Sequence, residues 1–167
     1  APAALTSLNG RPTVPVTLHS NAGTIHLTGN SMLHTDATLI GNSGGRSANG
    51  GTLNLSSSRY VLPGASSTTA DINLVVKQGS FVMAPPTDGD VVGSLPSAPE
   101  GQALPGLGVI NTSSFSGGGF ESLTLAGNVR FEGDVHLTLP GRIRAASGGV
   151  IEATGNVVLQ APYLAIG

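Results

Sequence analysis

Residues Gly127 to Gly141 read GNVRFEGDVHLTLPG, and the stretch says nearly the same thing twice, because GNVRF is followed at once by GDVHL. A third version, GNVVL, begins at Gly155. Each starts with a glycine and an Asn or Asp, then alternates apolar and polar side chains. Alternation with period two puts the apolar residues on one side of a strand, and glycine supplies the positive φ that a tight corner needs. The chain therefore lays down a short strand, turns, and repeats.

The same unit recurs along the chain, as AGTIHLTG (Ala22 to Gly29), GGTLNLSS (Gly50 to Ser57), ADINLVV (Ala70 to Val76), FESLTLAG (Phe120 to Gly127), GGVIEATG (Gly148 to Gly155) and GNVVLQAP (Gly155 to Pro162). In the last third the units fall into register: Leu123 maps to Ile143, Val129 to Val150, Val135 to Val157 and Ile143 to Leu164, in steps of 20 to 22 residues with three short strands per step. That period predicts an all-β solenoid in which each turn buries its inward side chains only by stacking on its neighbours. An antiparallel sandwich of hairpins is the competing arrangement. The three-strand spacing and the absence of Trp, with 4% aromatic residues, favour the solenoid.

Composition agrees. The 167 residues are 39% hydrophobic, enough for one core, and carry 25 glycines among abundant Ser, Thr and Asn. Only 10% of residues are charged, with a net of -2 and a single lysine, Lys77, so no basic face exists to bind nucleic acid. No cysteine is present, which removes disulfides, thiolate metal sites and cysteine nucleophiles. No apolar run approaches the roughly 20 residues of a membrane-spanning helix, so membrane insertion is not expected. The start, APAALTSLNG, lacks both a leading Met and a basic-then-apolar signal pattern, and reads as a soluble segment of a longer chain.

Two stretches break the rhythm. Residues 84–119 concentrate Pro85, Pro86, Pro96, Pro99 and Pro105, which cannot donate to a ladder, and read as a long Pro/Gly-rich loop excursion. GNSGGRSANGG, Gly41 to Gly51, is a smaller break. Neither marks a domain boundary, so residues 1–167 read as a single unit.

Over Gly118 to Gly167 the chain resembles the filamentous haemagglutinin-like exoproteins of two-partner secretion systems, in a module from the later part of such chains. GGFESLTL (Gly118 to Leu125), VRFEGDVHL (Val129 to Leu137) and VVLQAPYLAIG (Val157 to Gly167) carry the resemblance. It implies a right-handed parallel β-helix, and export through a dedicated outer-membrane barrel transporter. It also implies a role as stalk or adhesive surface outside a bacterial cell, with a host or neighbouring-cell receptor or glycan as partner. A carbohydrate-binding or polysaccharide-cleaving β-helix and the stalk of a contact-dependent toxin-delivery protein are the alternatives.

Candidate sites are few. Glu132, Asp134 and His136 alternate and are expected on one face of one strand, as a weak polar surface site or simply a solvated outer face. Carboxylate ladders would need partners from the next turn, which offers Glu152. Asp88 and Asp90 lie in a TDGD turn without the further ligands of a calcium loop. His19, His26 and His34, with Asp36, are spaced by about one strand each; they read as outward strand histidines, the alternative being a metal cluster if they stack. Gly106-Leu-Gly108 is too short for a dinucleotide fingerprint, and no Gly-x-Ser-x-Gly elbow is present. Asn54-Leu-Ser56 and Asn111-Thr-Ser113 match the glycosylation acceptor triplet. No catalytic, cofactor or metal residue is assigned, and the chain is not expected to be an enzyme. A charged residue at Val157 is expected to unfold the C-terminal strands, and an unchanged melting temperature would contradict its pairing with Val135.

Overall fold

The computed structural model describes residues 16–61, 64, 71–80, 106–145 and 148–167, together with the backbone of two-residue strands at 5–6, 12–13, 91–92 and 103–104. In chain order the strands are β1 (Leu5–Thr6), β2 (Pro12–Thr13), β3 (Thr24–Gly29), β4 (Leu33–His34), β5 (Gly51–Ser57), β6 (Leu74–Lys77), β7 (Val91–Val92) and β8 (Ala103–Leu104). They continue with β9 (Gly108–Asn111), β10 (Phe120–Ala126), β11 (Val129–Glu132), β12 (Val135–Thr138), β13 (Arg142–Ala145), β14 (Ile151–Ala153), β15 (Val157–Gln160) and β16 (Tyr163–Ile166). One turn of 3-10 helix, Thr112–Ser114, follows β9.

The fold is all-β and built on parallel sheets. The first sheet has the order β16-β13-β10-β5-β3, the second β14-β11-β6-β9-β4, and the third pairs β12 with β15. Every pair in these three sheets is parallel. Among the described residues only the short β1 and β2 pair antiparallel, while β7 and β8 form a parallel pair of their own. From β10 to β16 the chain visits first, second and third sheets in strict rotation.

Rotation places like residues over like. On the inward side of the first sheet, Ile25, Leu53, Leu123, Ile143 and Leu164 form one column, and Leu27, Leu55, Leu125, Ala145 and Ile166 the next. On the second sheet Leu74, Val129 and Ile151 align, and Ile110, Val76, Phe131 and Ala153 align beside them. The small Ala153 lies next to the large Phe131, which is 0% exposed. Such alternation of size fills a core without voids. Outside the second sheet a smaller apolar cluster joins Ile72, Val75 and Val109, with Leu107 packed on it.

Three of the four expected correspondences are observed: Leu123 with Ile143, Val135 with Val157, and Ile143 with Leu164. The fourth is corrected, because Val129 pairs with Ile151 and not with Val150. The connection from Ala145 to Ile151 is two residues longer than that from Leu125 to Val129. Val150 consequently takes the corner beside Asn128, whose Oδ1 accepts the Val150 N–H at 2.8 Å. Asn128 anchors this corner three ways. Its N–H donates to Asn73 Oδ1 at 3.1 Å, its Nδ2 donates to the Asp71 carbonyl at 2.7 Å, and the side chain is buried.

The glycines of the opening motif work in two ways. Gly127 and Gly133 adopt φ of 85° and 72°, which an L side chain rarely tolerates. Gly155 has no positive φ, but a Cβ there would lie 2.5 Å from the Gly133 carbonyl carbon, so its role is close approach between stacked corners.

Stacking does not follow chain order throughout. Strand β9 comes from the second half of the 84–119 stretch, yet it lies between β4 and β6 and all four of its residues are buried. The turn after it is equally part of the core, with Phe115 1% exposed. Leu39 N–H donates to the Ser114 carbonyl at 2.7 Å on one side of this turn. On the other side the Ser113 hydroxyl donates to the Gly79 carbonyl. The chain then crosses back to the first sheet at a crowded corner, where the Gly41 N–H donates to the Gly118 carbonyl at 2.6 Å. A Cβ on Gly41 would meet the Phe120 ring at 2.6 Å. The excursion read from the prolines thus ends before Gly108; its residues 84–90, 93–102 and 105 lie outside the described residues.

Two substitutions probe this core. Leu123→Ala, at a site 1% exposed with neighbours on both sides, is expected to cost about 2–5 kcal/mol by chemical denaturation. Asn128→Ala strands the Val150 N–H and the Asp71 carbonyl and is expected to cost about 1–3 kcal/mol, with Asn128→Asp no better because it keeps the acceptor and loses the donor.

Candidate functional site

Glu132, Asp134 and His136 do not share a strand. Glu132 ends β11 in the second sheet, Gly133 turns the chain at φ 72°, Asp134 sits in the corner, and His136 belongs to β12 in the third sheet. Alternation in sequence misses this because the corner falls in the middle of the alternating run. Each of the three has a local role at the exposed surface. Glu132 pairs with Lys77 Nζ at 2.7 Å, Asp134 Oδ1 accepts the Asn156 N–H at 2.8 Å, and the His136 N–H donates to Gln78 Oε1 at 3.0 Å. Glu152 is taken by Arg130, whose Nε and Nη2 both reach its Oε2 at 2.9 Å. Nothing in this arrangement brings the carboxylates and the imidazole onto a common point.

The histidines are also apart. His19 Nδ1 contacts Ser47 Oγ at 2.8 Å, and His26 lies beside Asn54 Nδ2 on the outer side of the first sheet. His34 is on β4, with Nε2 buried and unpaired. Among the described residues no group of three His, Asp or Glu side chains is placed to hold a metal ion. Asp88 and Asp90 lie outside the described residues. Of the two acceptor triplets, Asn54 is on the outward side of β5, whereas Asn111 is 7% exposed within β9.

A concave polar surface lies elsewhere, on the outer side of the first sheet. Asn49, Gly50, Thr52, Glu121, Ser122, Gly141, Arg142 and Tyr163 line a groove of about 510 Å³. Its spine is a column of stacked outward residues, Thr52 beside Ser122, Ser122 beside Arg142, and Arg142 beside Tyr163. The backbone around it is held firmly. Asn49 N–H donates to Asn21 Oδ1 at 2.9 Å, the Asn49 carbonyl accepts the Ala22 N–H at 3.0 Å, and the Glu121 carbonyl accepts the Gly141 N–H at 3.1 Å. Gly141 leaves room for the Glu121 side chain, since a Cβ there would lie 2.5 Å from Glu121 Cγ. Arg142 is exposed, Tyr163 is 62% exposed, and among the described residues neither Arg142 nor Glu121 makes an ion pair.

No linear motif announces this groove, because its residues come from four separate passes of the chain. The signal was nonetheless available: the register of Leu123, Ile143 and Leu164, moved back by one residue, gives Ser122, Arg142 and Tyr163. Aligned aromatic and charged residues on one face are what a glycan-binding wall requires, and Arg142 and Tyr163 lie side by side on neighbouring strands.

A second hollow is apolar. Phe131, Ile151, Ala153, Val157, Leu159, Leu164 and Ile166 line about 350 Å³ beside the last three strands. Comparison with protein-family models, curated proteins and solved structures finds no match to this chain. As a check on the acidic strand, Glu132→Gln is expected to change unfolding free energy by less than about 1 kcal/mol, because Glu132 is exposed and its Lys77 partner is half-buried at the surface. A larger loss in urea titration would give that pair a weight its exposure does not support.

Proposed function

We propose that this chain is a structural segment, a right-handed parallel β-helix, of a secreted and surface-associated adhesin-like exoprotein exported by a two-partner system. One observation carries the reading. The strands that rotate through three parallel sheets, β10 to β16, occupy the same residues, Gly118 to Gly167, whose sequence resembles the filamentous haemagglutinin-like exoproteins. The lack of cysteine supports it, because a chain without disulfides cannot be locked in the oxidising periplasm before it threads a barrel.

In this reading the segment works as a scaffold. Parallel ladders satisfy each pass against the next, so rigidity along the stack needs neither charge nor covalent cross-links. The outward side chains are then free to vary and to form the surface that meets a receptor or glycan on another cell. Its partner during export is the outer-membrane transporter.

Export in an unfolded state gives a direct test. His136 and Val158 are paired neighbours on parallel strands, and both are outward and exposed, so cysteines at the two positions fall near disulfide geometry. Behind a two-partner secretion recognition domain, in cells carrying the matching transporter, the native chain is expected outside the cell. The His136→Cys/Val158→Cys variant is expected to stall in the periplasm when oxidised and to be released when reduced. Retention of the native chain under these conditions would overturn the export reading.

A further inference from the structure

We propose that the groove on the outer side of the first sheet binds an acidic oligosaccharide, one whose sugars carry carboxylate groups. In this site Arg142 holds a carboxylate and Tyr163 stacks on a sugar face. Glu121, Asn49 and the hydroxyl of Thr52 bond to sugar hydroxyls, over a floor that includes the buried Ser122. This goes beyond a scaffold role and does not rest on the secretion reading.

The lining selects the ligand class. Apart from Tyr163, every described side chain in the groove is a hydroxyl, an amide or a charged group, so the described residues form no apolar socket of the kind that anchors a peptide side chain. A sugar suits such a surface, since it offers hydroxyls to the polar groups and a C–H face to an aromatic ring. The outward column alongside, His26, Asn54, Thr124 and Arg144, continues the polar character of the sheet two residues along each strand. Nucleic acid would ask for many cations where the groove supplies one.

The groove holds one cation and one carboxylate, and Arg142, the more exposed of the two, sets the acidic preference. A guanidinium presents a planar fork that matches a carboxylate, and Arg142 is exposed and makes no ion pair among the described residues. Glu121, also unpaired there, accepts hydroxyl hydrogen bonds and disfavours a ligand with charge on every atom group, such as a densely sulfated chain. The site is preorganised, because the Asn49 and Glu121 backbones are held by neighbouring passes and Gly50 and Gly141 keep the floor low.

The test is isothermal titration of the whole chain with oligogalacturonate, its methyl ester, heparin-derived oligosaccharide and a neutral galactan oligomer. Saturable binding of oligogalacturonate is expected, with the methyl ester and the galactan weaker by roughly tenfold, the loss of one charge-assisted contact. Arg142→Ala is expected to lower oligogalacturonate affinity by about the same factor, Tyr163→Phe to retain it and Tyr163→Ala to lose it. Glu152→Gln, on the second sheet, should leave it unchanged, and circular dichroism would confirm that each variant keeps its strands. Equal affinity for the methyl ester, indifference to Arg142→Ala, tighter binding of heparin, or binding of none of the four would each overturn the proposal. Export without binding would sink the groove alone, and binding without export would sink the secretion reading alone.

Discussion

In the first sheet a rung is dry only where it has a neighbour on each side. Leu123 and Ile143 lie inside the first inward column and are 1% and 0% exposed, while Leu164 at its end is 43% exposed with the same chemistry and the same strand geometry. Ile25, at the other end, is only partly buried. Burial here is a property of the stack and not of the strand, and each strand is too short to hide its apolar face alone. The hydrophobic gain and the backbone ladders therefore arrive together, one pass at a time.

That dependence explains which parts of the molecule could be read from sequence. Where successive passes repeat with little change, between Phe120 and Ile166, the alternating pattern gives the strands, their parallel partners and three of four residue correspondences. Val150 takes the corner instead of the strand because two extra corner residues shift the register locally, and the Asn128 hydrogen bond that fixes the shift leaves no mark in the hydropathy pattern. Strand β9 was hidden for a different reason. Gly108-Val-Ile-Asn is buried on both sides, so it lacks alternation, and it follows a proline-rich run that reads as loop.

The polar residues show the same limit. Glu132, Asp134 and His136 look like one strand face until Gly133 turns the corner between them, after which each answers to a different neighbour. Thr52, Ser122, Arg142 and Tyr163 look unrelated along the chain and become adjacent only through pairing. In a stacked fold, proximity along the sequence is a poor guide to proximity on a surface. The register is the better one, and it was in hand for the last three of these four residues.

The inserted strand carries a consequence for how the molecule can be made. In the first sheet β3 meets β5 directly, but in the second β4 and β6 are held apart by β9, which is synthesised some thirty residues after β6 ends. A chain appearing end first cannot finish its early layers as it emerges. The second side of the molecule stays ajar, with Leu33 and Leu74 lacking their shared neighbour, until Asn111 has come through. Past Phe120 the remaining strands can be added in order of arrival, so the same polypeptide assembles by two kinetics: a delayed closure at its beginning and steady growth towards its end.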